Sequence, residues 1–494
     1  MKITLHSEKQ GETEFFSEGV ARISDALTAM TADILFHCGG NGRCGGCKVR
    51  ITGGVLPPGD AEKRFLSEQE LRSGIRLCCL AEAYGDCDVY IPDKGELSVL
   101  TSGVMPEFKL SPLFDGKYGV ACDIGTTTVA LNLFSLESGA VLARAQAKNE
   151  QAAFGADVIS RIAAAIEKGV SPLRDKTVGQ LNFLLDGLYR EAGINKEEVT
   201  GAVITGNTTM LHFLTGLNPE GIASAPFKPQ SLFGEFYNAS GLGLIINGKV
   251  YLPRAVSAFI GPDIGCGALA CSLHKLSGNN LFIDIGTNGE MLLTSGYETI
   301  CCSAAAGPAF EGAGISCSMP AFPGAVDKIV FKGEKRFSVS VLGKKEPIGI
   351  CGSGLVDALA FFKSAGITDE SGRIQKTGHA FASLVSEDDA RGRFFKLCGE
   401  KVVITQQDIR QLQLAKAAIS AGIEAMLFES GIKTENLGSV FVSGGFGSFI
   451  NAENAEKIGL FPDGLADKLT VAGNTALSGA SLILLSKENA GNVI

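Results

Sequence analysis

The sequence predicts a multidomain chain in which a small α+β unit precedes a larger, internally duplicated α/β region. Three observations predict it. A length of 494 residues exceeds what one hydrophobic core usually supports. Six of the 14 cysteines (Cys38, Cys44, Cys47, Cys78, Cys79 and Cys87) crowd into one short stretch, while the others are scattered. An apolar run ending in Asp-Ile-Gly-Thr occurs twice, at Asp123 and at Asp284, 161 residues apart, about one domain length.

Composition narrows the class. With 45% hydrophobic residues, 20% charged residues and 16 prolines, the chain lies outside the disordered, collagen-like and coiled-coil classes. A net charge of −9 without a basic block argues against nucleic acid as a partner. The amino terminus, MKITLHSEKQGETEFF, turns polar after five residues, and no apolar run reaches 18, so no signal peptide, anchor or membrane span is expected. The expected location is the cytoplasm, where cysteines are thiols or metal ligands rather than disulfides.

Residues 1–93 read in order as strands over 2–6 and 14–17, a helix over 20–30, a cysteine loop, and strands over 48–52 and 88–92. Residues 94–117 are punctuated by Gly and Pro without periodicity and read as a linker. Beyond them, apolar runs over 118–122, 203–205, 281–284 and 440–443, each ending at Gly, alternate with longer helical patterns. The repeat divides this region into a first half, 118–280, and a second half, 281–494, each opening with a hairpin at the motif. Near the end, Thr405 and Asp408 form a capping box, Ile409, Leu412, Ile419, Ile423, Met426 and Leu427 share one face, and Gly431 stops the helix.

Cys38, Cys44 and Cys47 are spaced C-x5-C-x2-C, with Cys79 a further 32 residues on. Four thiolates, three in one tight loop and one distant, suit a [2Fe–2S] cluster. Glycines at 39, 40, 42, 45 and 46 let the backbone curl around it and aim N–H groups at its sulfurs. Cys78 and Cys79 are adjacent, and only one can point inward from a strand. Structural zinc is the competing reading, although a second C-x2-C pair is missing. Cys87 and His37 read as bystanders.

No Walker loop and no Gly-x-Gly-x-x-Gly after a strand is present, so phosphate binding rests on other turns. In Asp123-Ile-Gly-Thr-Thr-Thr128 a carboxylate at a strand end suits Mg²⁺, Gly125 permits close approach of phosphate, and Thr126, Thr127 and Thr128 supply donors. Asp284, Gly286, Thr287 and Asn288 repeat the arrangement. Gly444 and Gly445, after an apolar strand, would leave bare backbone for adenosine. Asp123 and Asp284 are the candidate catalytic residues, the first positioning Mg²⁺ through water, the second completing its shell or orienting the attacking water. Two further glycine-rich stretches, 206–210 and 350–354, read as cleft loops or ordinary turns.

The cysteine spacing and strand order resemble the adrenodoxin-like branch of the plant-type ferredoxins, which implies a β-grasp fold. In that family's Arg-Leu-Ala-Cys pattern the last position is the ligand, so Arg76-Leu77-Cys78-Cys79 implies Cys79. The three glycine-rich turns, in their order, resemble the actin, sugar-kinase and Hsp70 superfamily of ATPases, a duplicated ribonuclease H-like fold. Joined, and with the blocks Ala304–Gly312, Gly349–Asp357 and Gly473–Ala480, the chain resembles the reductive activators of corrinoid-dependent enzymes. The resemblance implies ATP-dependent reduction of Co(II) to Co(I) on the corrinoid protein of a methyltransferase system. It also implies an external electron donor, with a second copy of the chain as a further candidate partner. Two other functions stay open: ATP-driven electron delivery to another iron–sulfur enzyme, and an actin-like ATPase or kinase carrying a structural metal module.

Overall fold

The computed structural model describes residues 1–7, 11–30, 47–63, 66, 68–91, 103–296, 298–311, 314–319, 321, 323–333, 335–444 and 450–491. They gather into two compact units: one built on the amino-terminal strands, with residues 151–164 and 387–392, and one holding most of the remainder.

In the first unit, β1 (Lys2–Ser7) and β2 (Gly11–Phe16) form a hairpin, and β3 (Ala21–Arg22) leads into α1 (Ile23–Ala29). β4 (Lys48–Val55) is followed by the short helices α2 (Asp60–Lys63) and α3 (Glu68–Arg72), then by β5 (Ile75–Leu77) and β6 (Glu82–Tyr90). The sheet order is β2-β1-β6-β4-β5, with β3 added to β6, and β1 runs parallel to β6. The last strand begins six residues before the expected 88. Ala83, Cys87 and Val89 point inward while Tyr84 and Asp86 face solvent, an alternation that Gly85 and the acidic residues obscure in the sequence.

One buried ion pair fixes the entry to β5. Arg76 Nε and Nη2 donate to the two carboxylate oxygens of Glu62 at 3.0 and 2.5 Å, and Nη1 donates to the Leu56 carbonyl at 2.7 Å. The Leu77 amide also donates to Glu62, at 3.0 Å. Removing one partner leaves a buried, uncompensated charge, so Arg76→Ala is expected to cost about 3–5 kcal/mol. Native-state hydrogen exchange of the β4 and β5 amides measures this, and a loss below about 1 kcal/mol would show the pair to be dispensable.

The duplicated α/β region, most of which forms the second unit, opens with β7 (Tyr118–Ile124), β8 (Thr128–Ser135) and β9 (Val141–Lys148), followed by α4 (Val158–Lys168), which begins in the first unit, α5 (Ser171–Ala192), β10 (Val199–Gly206) and α6 (Thr208–Thr215). α7 (Glu220–Ala223), β11 (Glu235–Asn238), α8 (Ala239–Leu242), β12 (Lys249–Leu252) and α9 (Pro262–Ala270) complete the first half. The second half starts with β13 (Asn279–Ile285), β14 (Gly289–Ser295) and β15 (Glu298–Ala304), then β16 (Ala325–Phe331), β17 (Phe337–Val341), β18 (Gly349–Ile350) and α10 (Gly352–Ser364). It ends with β19 (Val385–Asp388), β20 (Gly392–Cys398), β21 (Val402–Thr405), α11 (Gln406–Ser430), β22 (Leu437–Ser443), α12 (Ala452–Lys457), β23 (Leu469–Gly473) and α13 (Thr475–Leu485).

The duplication is explicit in the sheets. One runs β11-β12-β10-β7-β8-β9 and the other β15-β14-β13-β22-β23, so each sets an antiparallel three-strand meander beside two parallel strands. Both Asp-Ile-Gly-Thr segments are the first hairpin of a meander. The closing helix returns to the first half: Leu477, Ala480, Ile483 and Leu484 of α13 share a core with Ala121, Ala130, Phe134 and Val203. α9 meanwhile contributes Ile264 and Ala268 to a core with Phe282 and Leu292 of the second sheet. The two helices cross in backbone contact, where a Cβ on Gly479 would lie 2.0 Å from the Cys266 carbonyl oxygen.

α11 carries the expected cap. Thr405 Oγ1 accepts from the Asp408 amide at 3.1 Å and Asp408 accepts from the Thr405 amide at 2.8 Å. Of the segment read as a linker, residues 94–102 lie outside the described residues. Residues 103–117 are laid along this unit: the Val104, Ser111 and Leu113 amides donate to Ala472, Leu485 and Leu484, and Phe108, Leu113 and Phe114 pack on the α13 core. Apolar residues at irregular spacing found partners far along the chain, which no periodicity could signal.

Candidate functional site

Cys38 and Cys44 lie outside the described residues; Cys47, Cys78 and Cys79 are described and buried. Cys47 immediately precedes β4, and its carbonyl accepts from the Cys78 amide at 3.0 Å, which binds the two cysteine segments together. The Cys47 and Cys79 sulfurs are 3.1 Å apart. Hydrogen bonds from Cys78 and then Cys79 lower the Cys47 thiol to about 3, the thiolate side of neutrality, and the thiolate is the metal-binding form. Cys87 behaves differently: burial first, then Asp88 and Asp86, raise its thiol to about 11, as befits a core residue.

In the second unit the strand ends bring distant residues together. Register pairs Asp123 with Thr205 of the parallel strand β10, and Asp284 with Ser443 of β22 and Glu290 of β14. The first turn is closed by the Gly125 amide donating to the Thr128 carbonyl at 2.9 Å, and Asn149 Nδ2 donates to the Gly125 carbonyl at 2.8 Å. The second is closed by the Gly286 amide donating to the Asn288 carbonyl, also at 2.9 Å. Both leave their threonine side chains on the turn.

Helix caps reach into the same cleft. Asn207 caps α6 and donates to Thr126 Oγ1 at 3.1 Å. Asn474 caps α13 and donates to Asp123 Oδ2 at 3.4 Å. The stretches 206–210 and 473–480 are thus strand-to-helix turns whose asparagines hold site residues. Gly444 has φ +94°, and a Cβ there would lie 2.3 Å from the Ile285 carbonyl oxygen and 3.1 Å from Asp284 Oδ1. Bare backbone is required at that point. Gly445 lies outside the described residues.

The electrostatics follow from crowding. Asp123 is raised to about 7, by burial first and then by Asp284, against the donation from Asn474. Its Oδ1 is buried without a hydrogen-bond partner. Asp284 is also raised by burial, opposed by Ser443. Asp263, in the first turn of α9, and Glu290 are pushed well above their ordinary range; burial is the larger cause for each, then Asp123 and Asp284 for the first, Asp263 and Asp284 for the second. Like carboxylates at close quarters favour protons or a cation.

Among the described residues no three of these groups form a direct ligand set. Mg²⁺ suits such a site, since it keeps several waters and is held by one or two carboxylates plus substrate phosphates. The orphaned Asp123 Oδ1 therefore fits a hydrated cation, while the space beside Gly444 is taken by the Ile285 carbonyl and the Asp284 carboxylate. Asp263 has no signal in the sequence as a site residue; Glu290 closes the second turn segment and Asn474 lies in the block 473–480, but neither carries a role that the sequence alone assigns.

Three family models match the chain in succession: a 2Fe-2S iron-sulfur cluster binding domain over residues 6–84, the RACo middle region over 118–276, and the C-terminal domain of RACo, the ASKHA domain, over 278–493. The corrinoid activation enzyme RamQ of Eubacterium limosum is 35% identical over 389 residues, covering 76% of this chain and 65% of that protein. The chain therefore spans just under two thirds of that relative's length. A [Co(II) methylated amine-specific corrinoid protein] reductase of Methanosarcina barkeri is 27% identical, covering 76% and 72%. A solved reductive activator for corrinoid, iron-sulfur protein superposes with a TM-score of 0.71 at 31% identity, covering 100% of this chain and 94% of that one. No described helix is long and apolar enough to cross a membrane.

Proposed function

The chain belongs to the RACo family of corrinoid reductive activators, and on that footing we propose that it couples ATP hydrolysis to one-electron reduction of Co(II) to Co(I). The substrate is the corrinoid protein of a methyltransferase system, and the electron comes from an external donor. The observation that carries the reading is the duplicated Asp-Ile-Gly-Thr hairpin, with an unpartnered Asp123 oxygen in its cleft, in a chain that also buries the Cys47–Cys79 sulfur pair.

When bound, the [2Fe–2S] cluster supplies a one-electron relay and Mg²⁺ neutralises the triphosphate. Cys47 and Cys79, with Cys38 and Cys44, would hold the cluster. Asp123 would position the hydrated cation through water, while Asp284 would complete its shell or orient the attacking water. Thr126, Thr127, Thr128, Thr287 and Asn288 donate to phosphate oxygens, Gly125 and Gly286 let the chain approach them, and Gly444 with Gly445 takes the adenosine. Asp263 and Glu290, crowded against Asp123 and Asp284, take up protons in the empty site and would favour a cation there once the carboxyls are ionised.

ATP is required because of a potential gap. Plant-type clusters lie near about −400 mV, and a target lower by roughly 100 mV makes the transfer uphill by about 2 kcal/mol. Nucleotide can offset this only through different affinity for two states of the complex with the corrinoid protein. With a low-potential chemical donor, Mg-ATP and a Co(II) corrinoid protein, the Co(I) absorption spectrum is expected to appear. Leaving out ATP is expected to stop or greatly slow it. Equal Co(I) yield with and without ATP at the same donor potential would overturn the coupling.

A further inference from the structure

Glu311 lies beyond β15, in a turn where its amide donates to the Pro308 carbonyl at 3.0 Å. Its side chain reaches both hairpin turns at once. Oε2 accepts from Thr287 Oγ1 at 2.6 Å and from Thr127 Oγ1 at 3.3 Å. Oε1 lies over the second turn, 3.7 Å from where a Cβ on Gly286 would stand.

Thr127 belongs to the first half and Thr287 to the second, each on the turn that joins the first two strands of its meander. One anionic oxygen that takes a hydroxyl from each of two opposed turns reproduces what a phosphoryl oxygen would do between them. Charge-assisted hydrogen bonds of this kind are among the stronger ones, so the two acceptors compete for the same donors rather than coexist.

We propose that Glu311 is an internal stand-in for the terminal phosphoryl group of ATP. It bridges the two turns when no triphosphate is present and is displaced when γ-phosphoryl oxygens take over Thr127 and Thr287. This deepens the ATP reading of the cleft and rests on it. ADP has no third phosphate and leaves the bridge in place. Glu311 is thus a positioning residue that sets the preference for ATP over ADP and moves the 305–311 turn according to which is bound.

The test is calorimetric titration of the intact, cluster-loaded protein with Mg²⁺ and either a non-hydrolysable ATP analogue or ADP, for the wild type, Glu311→Ala and Glu311→Gln. Removing the competitor is expected to tighten the ATP analogue on the order of tenfold in Glu311→Ala, about one charge-assisted hydrogen bond's worth, and to leave ADP within about twofold. Glu311→Gln keeps an acceptor without the charge, so its gain is expected to be smaller but in the same direction. Weaker binding of both nucleotides in both variants would make Glu311 a structural brace and overturn the proposal. Unchanged affinities with slower turnover would also overturn it, by making Glu311 a group used only in hydrolysis. If the wild type binds neither nucleotide, the ATP reading itself fails, which the variant comparison keeps separate from failure of the bridge.

Discussion

Asp123→Asn is expected to lower Mg²⁺-dependent ATP hydrolysis by on the order of a hundredfold or more, the scale seen when one preorganised electrostatic group is removed from a site. The substitution keeps the shape and leaves an oxygen for Asn474, whose amide donates to Asp123 Oδ2 at 3.4 Å. What disappears is the charge on a buried carboxylate whose other oxygen has no protein partner. Asp284→Asn is expected to act in the same direction from the opposite turn. Full partner-stimulated hydrolysis in both variants would reduce the two aspartates to turn caps.

The same charge has a pH signature. Asp123 titrates near 7 in the fold, well above an ordinary carboxylate, because burial and then Asp284 disfavour its ionised form. A carboxyl raised on folding contributes stability that is present below about pH 4 and is lost as pH rises through about 7. Thermal unfolding of the magnesium-free protein is expected to fall across that window and to recover with Mg-ATP. Asp123→Asn is expected to shrink the fall without abolishing it, because Asp263 and Glu290 are raised as well. An identical pH profile in the variant would place the effect on other groups.

Serine at Cys47 or Cys79 is expected to remove the cluster outright: two iron atoms per chain, the visible absorbance, and the rhombic EPR signal on one-electron reduction. Co(I) formation is expected to vanish with it, while ATP hydrolysis continues, since the nucleotide turns belong to a separate compact unit. Serine at Cys38 or Cys44 is expected to do the same. Cys78→Ser is the control. Cys78 and Cys79 are both buried and both hydrogen-bond Cys47, so burial alone does not rank them. The 3.1 Å approach of the Cys47 and Cys79 sulfurs does not rank them either, because Cys78 hydrogen-bonds the same thiol; the assignment to Cys79 rests on the Arg-Leu-x-Cys pattern. Loss of the cluster in Cys78→Ser with retention in Cys79→Ser would reverse that assignment, and stoichiometric zinc without colour would end the redox reading.

Local chemistry was legible in the sequence by itself. The Thr405–Asp408 box follows from hydrogen bonds three residues apart, and the two hairpins from the Asp-Ile-Gly-Thr turn at the end of an apolar strand. Each depends on residues within one turn or loop, so composition and spacing carry the information. The cleft depends on residues that meet only through the sheets and the crossing of α9 with α13. Asn474 reaches Asp123 across 351 residues, and Glu311 joins Thr127 to Thr287. Nothing local distinguishes Asp263 or Glu290 from any other acid, because a carboxylate's role is set by the charges and burial around it. Tertiary structure alone decided those, along with the docking of residues 103–117, since packing partners far apart in sequence leave no period to read.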